Sequence, residues 1–361
     1  MTGKFMADDP RLSVRLGRLT LRNPVICSSG EPVMTESGIR AALAAGAAGV
    51  IAKSVNEQPA AARQLDHADY AWLDREHGRI DHADPRGALF CRSGLSQRDH
   101  ADWFHAIAAI DRDAARDGQF VAASLVFGGA AGAVHLATLA RTAGLRVFEL
   151  NVGAPHAQEA QPGAIAQQND PAELTALVRA VRAAIGDMVL WVKLTGLTPN
   201  IPALARAAAD GGADAVIAMG RSLALVPSLD DFTPVLGSSA AYGGSWAVPI
   251  VCRYLALSRQ AVGTSVPLIG TNGVRQGSDL LRMLLAGASA AEVLTIVMME
   301  GFGALTRLRA EVLDFVSARG TSVEALIGKA ADKLGRYSEQ PLQPGRWRNF
   351  VPAETNATTA L

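Results

Sequence analysis

Short apolar runs alternate with Ala/Leu-rich helical segments along this chain, and the alternation occurs eight times. The strand candidates are residues 23–29, 48–53, 120–126, 146–151, 189–194, 214–219, 266–270 and 291–296. Helical patterns follow them at about residues 36–47, 99–117, 133–144, 171–186, 200–212, 248–262, 276–287 and 300–319. Eight β–α units in series predict an α/β chain folded as a (β/α)8 TIM barrel. A doubly wound sheet is the alternative, but its glycine-rich fingerprint is absent after the first strand.

Two connections are too long for simple turns of such a barrel. They are residues 54–98 after the second strand and residues 220–247 after the sixth strand. Loops of this length in a compact domain usually cover a site or are disordered. The last residues, 337–361, are rich in proline and polar side chains. We therefore expect one barrel domain over residues 1–336, followed by a C-terminal surface tail over residues 337–361.

Composition excludes several classes of function. The chain has 34 basic and 34 acidic residues, so nothing favours a nucleic-acid or anionic-membrane partner. The N-terminus lacks the apolar core of a signal peptide, which predicts a cytoplasmic protein. The three cysteines, Cys27, Cys91 and Cys252, include no Cys-x-x-Cys pair, so we expect no metal or iron–sulfur site.

The fourth strand candidate carries two polar side chains in an apolar run. Glu149 and Asn151 share one face of that strand because side chains alternate between its two faces. Buried polar groups are costly unless they are paired or used. The strand breaks into a Gly/Pro turn that contains Ala154 and ends in His156. This turn lies at the end of the barrel where active sites are built.

Two lysines also end apolar strands. Lys53 follows Gly-Val-Ile-Ala, and Lys193 follows Val-Leu-Trp-Val. Either lysine could extend its amine to solvent from a buried stem. Together with Asn151 they predict a positive, hydrogen-bonding centre that suits a planar anion or a flavin ring. A Gly turn after the seventh strand, with Thr295 beyond it, matches the phosphate site that barrels build after strands seven and eight.

With these motifs in place, the chain resembles the class 1 dihydroorotate dehydrogenase family, and especially the flavin-binding barrel of dihydropyrimidine dehydrogenases. The resemblance covers roughly residues 15–330. It is carried by Asn23-Pro24 with Ser29-Gly30, Ile51-Ala52-Lys53-Ser54, Glu149-Leu150-Asn151 with Pro155-His156, Val192-Lys193-Leu194-Thr195, Gly211-Gly212-Ala213-Asp214, Tyr242-Gly243-Gly244, Ile269-Gly270-Thr271-Asn272-Gly273, and Ser322-Val323-Glu324 with Gly328-Lys329.

The resemblance implies FMN bound over the barrel mouth. Lys193 would neutralise the N1/O2 side of the flavin ring, and Lys53 would flank the ring. The other cofactor contacts that the resemblance implies are Ser29, Gly30, Ser54, Asn151, Gly244, Thr271, Asn272, Gly273 and Thr295. The family is often dimeric, so the resemblance also implies a homodimer.

Departures from the family pattern fall mainly on the substrate side. Ala154 stands where the family places a Cys or Ser as acid/base, and alanine cannot move a proton. The remaining candidates for proton transfer are His156, Tyr242 and Cys91. Candidate substrate contacts are Arg92, Ser93, Asn151 and Arg221. On the phosphate side, Leu294 replaces a family glycine before Thr295, and Asn272 replaces another in the preceding turn.

These residues predict an FMN-dependent oxidoreductase that acts on a C–C bond beside a carbonyl in a small cyclic substrate. We expect that substrate to be a molecule other than dihydroorotate. With no cysteine cluster, the enzyme would exchange its second electron pair with a small molecule or with a partner flavin or iron–sulfur subunit. Two alternatives stay open: a barrel lyase or aldolase that uses Lys193 as a Schiff-base amine, and a non-catalytic flavin-binding subunit.

Overall fold

The computed structural model describes residues 9–154, 165–166 and 168–356. Its strands are β1 (Val14–Leu16), β2 (Leu19–Leu21), β3 (Val25–Cys27), β4 (Gly49–Ile51), β5 (Asp69–Leu73), β6 (Arg79–Ile80), β7 (Ala88–Arg92), β8 (Phe120–Val126), β9 (Val147–Asn151), β10 (Val189–Lys193), β11 (Ala215–Ile217), β12 (Leu223–Ala224), β13 (Ala240–Gly244), β14 (Leu268–Thr271) and β15 (Ala288–Val293). Its helices are α1 (Glu36–Ala44), α2 (Pro59–Ala62), α3 (His100–Ala115), α4 (Ala130–Thr142), α5 (Pro171–Ile185), α6 (Ile201–Asp210), α7 (Val248–Val262), α8 (Gly277–Leu285), α9 (Thr295–Glu300), α10 (Gly303–Ala318) and α11 (Val323–Leu326).

Eight parallel strands close into a barrel in chain order, β3-β4-β8-β9-β10-β11-β14-β15, and β15 pairs with β3 to complete the circle. The predicted TIM barrel is therefore confirmed. Each strand candidate overlaps one barrel strand, and an α-helix follows each of the eight strands. Among the described residues, no helix has both the length and the apolarity needed to cross a bilayer.

The eighth strand begins earlier than the sequence pattern predicted. It runs over Ala288–Val293 rather than 291–296, and it starts directly after the helix-ending Gly287, whose φ is +113°. Thr295 consequently opens helix α9 instead of ending the strand. This shift places the charged side chain of Glu292, rather than Thr295, at the C-terminal end of the eighth strand.

The barrel interior is filled by large side chains below the mouth. Trp191 and Phe120 meet edge to face, with ring centroids 5.3 Å apart, and both are buried. Gly49 on the neighbouring strand leaves room for this layer, because a Cβ there would lie 2.1 Å from the Phe120 ring. Such alternation of large and small residues fills a barrel to native density. The ring layer gives the charged groups above it an apolar floor.

The two long connections are not irregular loops. They build one antiparallel sheet of five strands in the order β12-β13-β7-β5-β6, in which β13 of the second connection pairs with β7 of the first. The strands were missed because this pairing joins segments about 150 residues apart, and neither segment alone shows a long alternating run. Residues 88–91 and 240–244 bring one face of this sheet to the barrel mouth.

The outer face of β9 supplies a stability prediction. Phe148 is fully buried between the barrel and its helices, so Phe148→Ala should lower the free energy of unfolding by about 3–5 kcal/mol. Phe350 is 76% exposed in the tail, and Phe350→Ala should change stability by less than about 0.5 kcal/mol. Urea unfolding of the two variants measures both values; equal losses would contradict the assigned packing.

Candidate active site

A cavity that opens to solvent lies at the C-terminal ends of the barrel strands. The barrel strand ends form its floor, and strands β7 and β13 of the five-stranded sheet form one wall. The structure brings twelve predicted site residues to its lining: Ser29, Lys53, Ser54, Cys91, Ser93, Asn151, Lys193, Arg221, Thr271, Asn272, Gly273 and Thr295.

Lys193 is held between two buried carboxyl groups on the cavity floor. Its Nζ lies 2.9 Å from Glu149 Oε2 on β9 and 2.5 Å from Glu292 Oε2 on β15. Ser28 Oγ donates to Glu292 Oε2 at 2.7 Å, and Ser124 Oγ donates to Glu149 Oε1 at 2.8 Å. Three strands thus aim their charged side chains at one point, and we call Glu149, Lys193 and Glu292 the floor triad.

The floor triad shifts the pKa values of its members. Burial acts to lower the pKa of Lys193, but the charges of Glu149 and Glu292 outweigh burial and raise it. Burial, reinforced by the neighbouring Glu149 charge, raises the pKa of Glu292 to about 8. At neutral pH the lysine is therefore an ammonium, and burial beside Glu149 favours the protonated form of Glu292.

A second buried lysine lies beside the first. Lys53 Nζ donates to Glu31 Oε1 at 3.0 Å, and Tyr70 OH from β5 donates to the same oxygen at 2.8 Å. Burial lowers the pKa of Lys53, although the Glu31 carboxylate opposes that effect. Burial acts to raise the pKa of Glu31, but the charge of Lys53, the hydrogen bonds from Tyr70 and Lys53 and the charge of Arg221 together outweigh burial and lower the pKa. Glu31 is therefore a carboxylate.

A row of serine hydroxyls begins at Glu149 of the floor triad. Ser124 Oγ, which donates to Glu149, lies 2.8 Å from Ser54 Oγ, and Ser54 Oγ lies 3.0 Å from Ser29 Oγ. Hydroxyls can donate and accept at once, so this row satisfies buried polar atoms without adding charge. It runs along one edge of the cavity floor from the end of β9 to the end of β3.

Arg221 supplies a guanidinium on the sheet side of the cavity. Its Nη2 donates to Ser93 Oγ at 2.8 Å, and its Nη1 contacts Cys91 Sγ at 3.4 Å. Within the described ranges, no carboxylate lies at ion-pair distance from Arg221. Burial raises the pKa of the Cys91 thiol, although Arg221 opposes that effect. This wall therefore presents a positive charge to any anion in the cavity.

The turn after β14 forms another part of the cavity lining. Asn272 has φ +67°, a left-handed conformation that asparagine tolerates, and its Nδ2 donates to Gly220 O at 2.7 Å. Gly273 has φ +85°, and a Cβ there would lie 2.8 Å from Gly244 O. Leu294 covers Gly30, because a Cβ on Gly30 would lie 2.2 Å from Leu294 Cδ2.

Four predicted residues do not line this cavity. The Tyr242 side chain lies on the other face of β13, where its hydroxyl meets His77 Nδ1 at 2.8 Å and its ring stacks on Trp246. Arg92 bonds to Leu236 O and to Ser238 Oγ at the sheet edge. Gly30 lies under Leu294, and Gly244 lines a smaller adjacent pocket. His156 lies outside the described residues.

The fold agrees with comparisons to known proteins. The model of the dihydroorotate dehydrogenase family matches residues 132–316, just over half of the chain. The chain belongs to the dihydroorotate dehydrogenase family. A relative from Methanocella arvoryzae, named dihydroorotate dehydrogenase B (NAD(+)), catalytic subunit, is 25% identical over 89% of this chain and 98% of its own length.

Two further relatives of the dihydroorotate dehydrogenase family show how the similarity is distributed. The Pyrococcus horikoshii protein of the same name is 28% identical over 88% of this chain and 97% of its own length. Dihydroorotate dehydrogenase A (fumarate) from Limosilactobacillus reuteri is 34% identical over 43% of this chain and 49% of its own length. The first match spans nearly the whole barrel, and the second covers less than half of the chain.

Two charged residues of this dihydroorotate dehydrogenase family site were missed in the sequence. Glu292 lies in an apolar strand, the same signal that drew attention to Glu149, but the strand was placed too late in the chain to reveal it. Glu31 follows Ser29-Gly30 in a short 3-10 turn, Glu31–Val33, where an acidic residue reads as an ordinary helix start.

The floor triad predicts a specific pH dependence of stability. The unfolded chain loses the Glu292 proton near pH 4.5, whereas the folded chain keeps it up to about pH 8. The folded state thus binds more protons in this window, so Glu292 makes stability fall as pH rises from 4.5 to 8. The side chain in Glu292→Gln cannot ionise. This variant should therefore lack the decrease in the free energy of unfolding that Glu292 causes between pH 4.5 and 8, which is on the order of a few kcal/mol.

Urea unfolding at several pH values between 5 and 8.5 measures this effect. Glu76→Gln is the matched control, because Glu76 is exposed and far from the triad. The control should keep the wild-type slope of stability against pH. A wild-type slope in Glu292→Gln would show that Glu292 does not hold the extra proton.

Proposed function

We propose that this chain is an FMN-dependent oxidoreductase that acts on a C–C bond beside a carbonyl in a small cyclic, anionic substrate. The observation that carries the proposal is the pair of buried lysines, Lys53 and Lys193, on the floor of one cavity in a barrel of this family. The fold alone would support many activities, so the argument rests on the cavity. Dihydropyrimidine dehydrogenases remain the relatives whose flavin barrel we expect to be most similar.

The residues present fit FMN. The turn at Gly273 passes so close to Gly244 that a side chain would fill the space, and Gly243 lies where a Cβ would be 3.0 Å from Thr295 Oγ1. Such a narrow, glycine-lined end beside the start of a helix suits a phosphate group. Thr271, Asn272, Gly273, Gly244 and Thr295 would hold the phosphate end. Ser29, Lys53, Ser54, Asn151 and Lys193 would hold the ring.

FMN, when bound, supplies two-electron chemistry by accepting or donating a hydride. The chain's own contribution is electrostatic. Lys193 stays protonated at the floor, and the raised pKa of Glu292 favours the neutral form of that carboxyl group. Loss of the Glu292 proton as pH rises adds negative charge to the floor, so the floor accommodates an anionic ligand better below the pKa of Glu292 than above it.

The substrate side of the cavity favours an anion. Arg221 faces the cavity with Ser93 as its hydrogen-bond partner, and a guanidinium binds carboxylates through paired donors. Asn151, at the end of β9, adds an amide beside this position. We infer that the substrate carries a carboxylate or a comparable planar anion. Cys91 in place of an amide, together with Ala154, suggests a ring substituted differently from dihydroorotate.

We infer that a partner receives or supplies the second electron pair. Three cysteines cannot ligate a four-cysteine cluster, so an iron–sulfur centre would have to lie on another chain. Two of the relatives are named as catalytic subunits, which is consistent with a separate electron-transfer subunit. The simpler alternative is a homodimer that passes its electrons to a small-molecule acceptor. Measuring the size of the protein purified on its own tests for that homodimer.

The test of the proposed function begins with an absorbance spectrum. The purified protein should show flavin bands, and released flavin should be FMN by mass. Anaerobic addition of dihydroorotate, 5,6-dihydrouracil and related cyclic imides and acids should bleach those bands with at least one probe. A colourless protein that gains no bands with added FMN would contradict the proposal.

The same experiment decides between the alternatives. A flavin that no probe reduces and no acceptor reoxidises would favour a non-catalytic flavin-binding subunit. A Schiff-base lyase needs an unprotonated amine, whereas the raised pKa of Lys193 keeps its amine protonated. Borohydride trapping of a carbonyl compound on Lys193 would overturn that argument.

Arg221 provides a prediction about affinity. Orotate carries a carboxylate and uracil does not, so Arg221→Gln should weaken orotate binding about 10- to 100-fold and leave uracil binding unchanged. Arg92→Gln is the matched control, because the Arg92 guanidinium bonds to the sheet edge and does not line the cavity. Flavin difference spectra report both ligands. Equal losses for orotate and uracil in Arg221→Gln would contradict carboxylate recognition.

A further inference from the structure

The proposed chemistry needs a side chain that can hold a proton, and one wall of the cavity cannot supply it. Removing two hydrogens from a C–C bond beside a carbonyl transfers one as hydride and one as a proton. Ala154 packs with Leu95, Val126 and Ile165 in a buried apolar cluster. Nothing in that cluster titrates. Among the described residues, the proton must therefore move at another part of the lining.

Six described residues that line the cavity can carry charge: Glu31, Lys53, Cys91, Lys193, Arg221 and Glu292. Arg221 stays protonated in proteins. Lys193 and Glu292 are paired with each other in the floor triad, where the raised pKa keeps Lys193 an ammonium. Burial keeps Cys91 as a neutral thiol. Lys53 with Glu31 is the pair that remains.

Lys53 is placed to exchange a proton with a ligand in the cavity. Its side chain is 5% exposed and lines the cavity, and its Nζ donates to Glu31 Oε1 at 3.0 Å. An ammonium carries three donor hydrogens, so this contact leaves others for a ligand. Tyr70 OH holds the same Glu31 oxygen at 2.8 Å, which fixes the carboxylate and hence the lysine.

The ionisable groups around Lys53 come from three separate elements. Glu31 lies in the 3-10 turn after β3, Cys91 lies on β7, and Arg221 follows β11. Burial and Arg221 disfavour the ammonium form of Lys53, while Glu31 favours it. A lysine whose pKa is lowered in this way is a better base than an exposed lysine.

We propose that Lys53 Nζ is the atom that carries the substrate proton, with Glu31 as the positioning residue that holds it and Tyr70 restraining Glu31. The inference rests on the proposed oxidoreductase function. In the oxidative direction the C–H bond beside the carbonyl breaks, and its proton adds to the lone pair of the Lys53 amine. The bonding electrons would form the new C=C bond, and bound FMN would supply the acceptor for the neighbouring hydride. The reverse reaction returns the proton from the ammonium.

The first test removes the amine and keeps the flavin. Lys53→Ala should retain FMN by absorbance but slow anaerobic flavin reduction by an active probe at least about 100-fold. Added ethylamine should restore the rate in proportion to its free-amine concentration, because it returns a base to the vacated space. Lys53→Arg keeps the charge without a usable base and should stay slow. Lys333→Arg, on the exposed tail side, is the control and should match wild type.

The second test measures the titration of the Lys53 amine directly. The chain has five lysines, so 13C labelling at the lysine ε-carbon gives a small set of NMR signals, and Lys53→Arg assigns one of them. That signal should titrate below an ordinary lysine, and Glu31→Gln should move its titration to lower pH because the carboxylate that favours the ammonium is lost. The pH profile of flavin reduction should move in the same direction.

The outcomes separate the inference from the function beneath it. A protein without flavin, or flavin that no probe reduces, refutes the proposed function. If wild type is reduced, reduction of Lys53→Ala within threefold of that rate overturns the inference. The inference is also overturned if the Lys53 signal titrates at the same pH as the Lys329 signal, or if Glu31→Gln leaves the Lys53 titration unchanged. If Lys53→Ala loses its flavin, the NMR titration and the pH profile of Glu31→Gln still decide.

Discussion

The placement of Lys193 between Glu149 and Glu292 is the constraint on which this site depends. Three charged groups buried under a cavity would be prohibitively costly if any one of them lacked its partner. Each comes from a different barrel strand, so the triad is satisfied only when β9, β10 and β15 stand in one register. A misplaced strand would leave a buried charge without its partner. The triad therefore favours the correctly closed barrel and also contributes to the site.

Above that floor, the chain divides the cavity into two chemically different sides. The barrel supplies lysines, serines and a glycine turn, which suit a large planar anionic cofactor. The five-stranded sheet supplies Arg221's partners, Cys91 and Ser93, and also Tyr70, which holds Glu31. Because the sheet comes from two connections rather than from the barrel, it can change without disturbing the closed strands. Substrate recognition can thus diverge while the cofactor floor persists.

Sequence patterns predicted the barrel well because each strand and helix leaves a local signature. Gly46, Gly144 and Gly287 mark helix ends, and the register that follows is fixed by apolar strands buried on both faces. Lys53, Lys193 and Asn151 were recognised because polar groups that end apolar strands are conspicuous. Glu292 was missed through a three-residue error in one strand start. Glu31, Tyr70 and the five-stranded sheet were missed because their roles arise only from contacts between distant segments.

The position of Ala154 shows why a family assignment leaves the proton route open. Its neighbours Leu95, Val126 and Ile165 make that wall apolar, so a polar acid/base there would need partners the wall does not offer. Across the cavity, Glu31 and Tyr70 give Lys53 the hydrogen bonds that a buried amine requires. Among the described residues, the second wall therefore gives an acid/base group the hydrogen-bond partners that the first wall lacks.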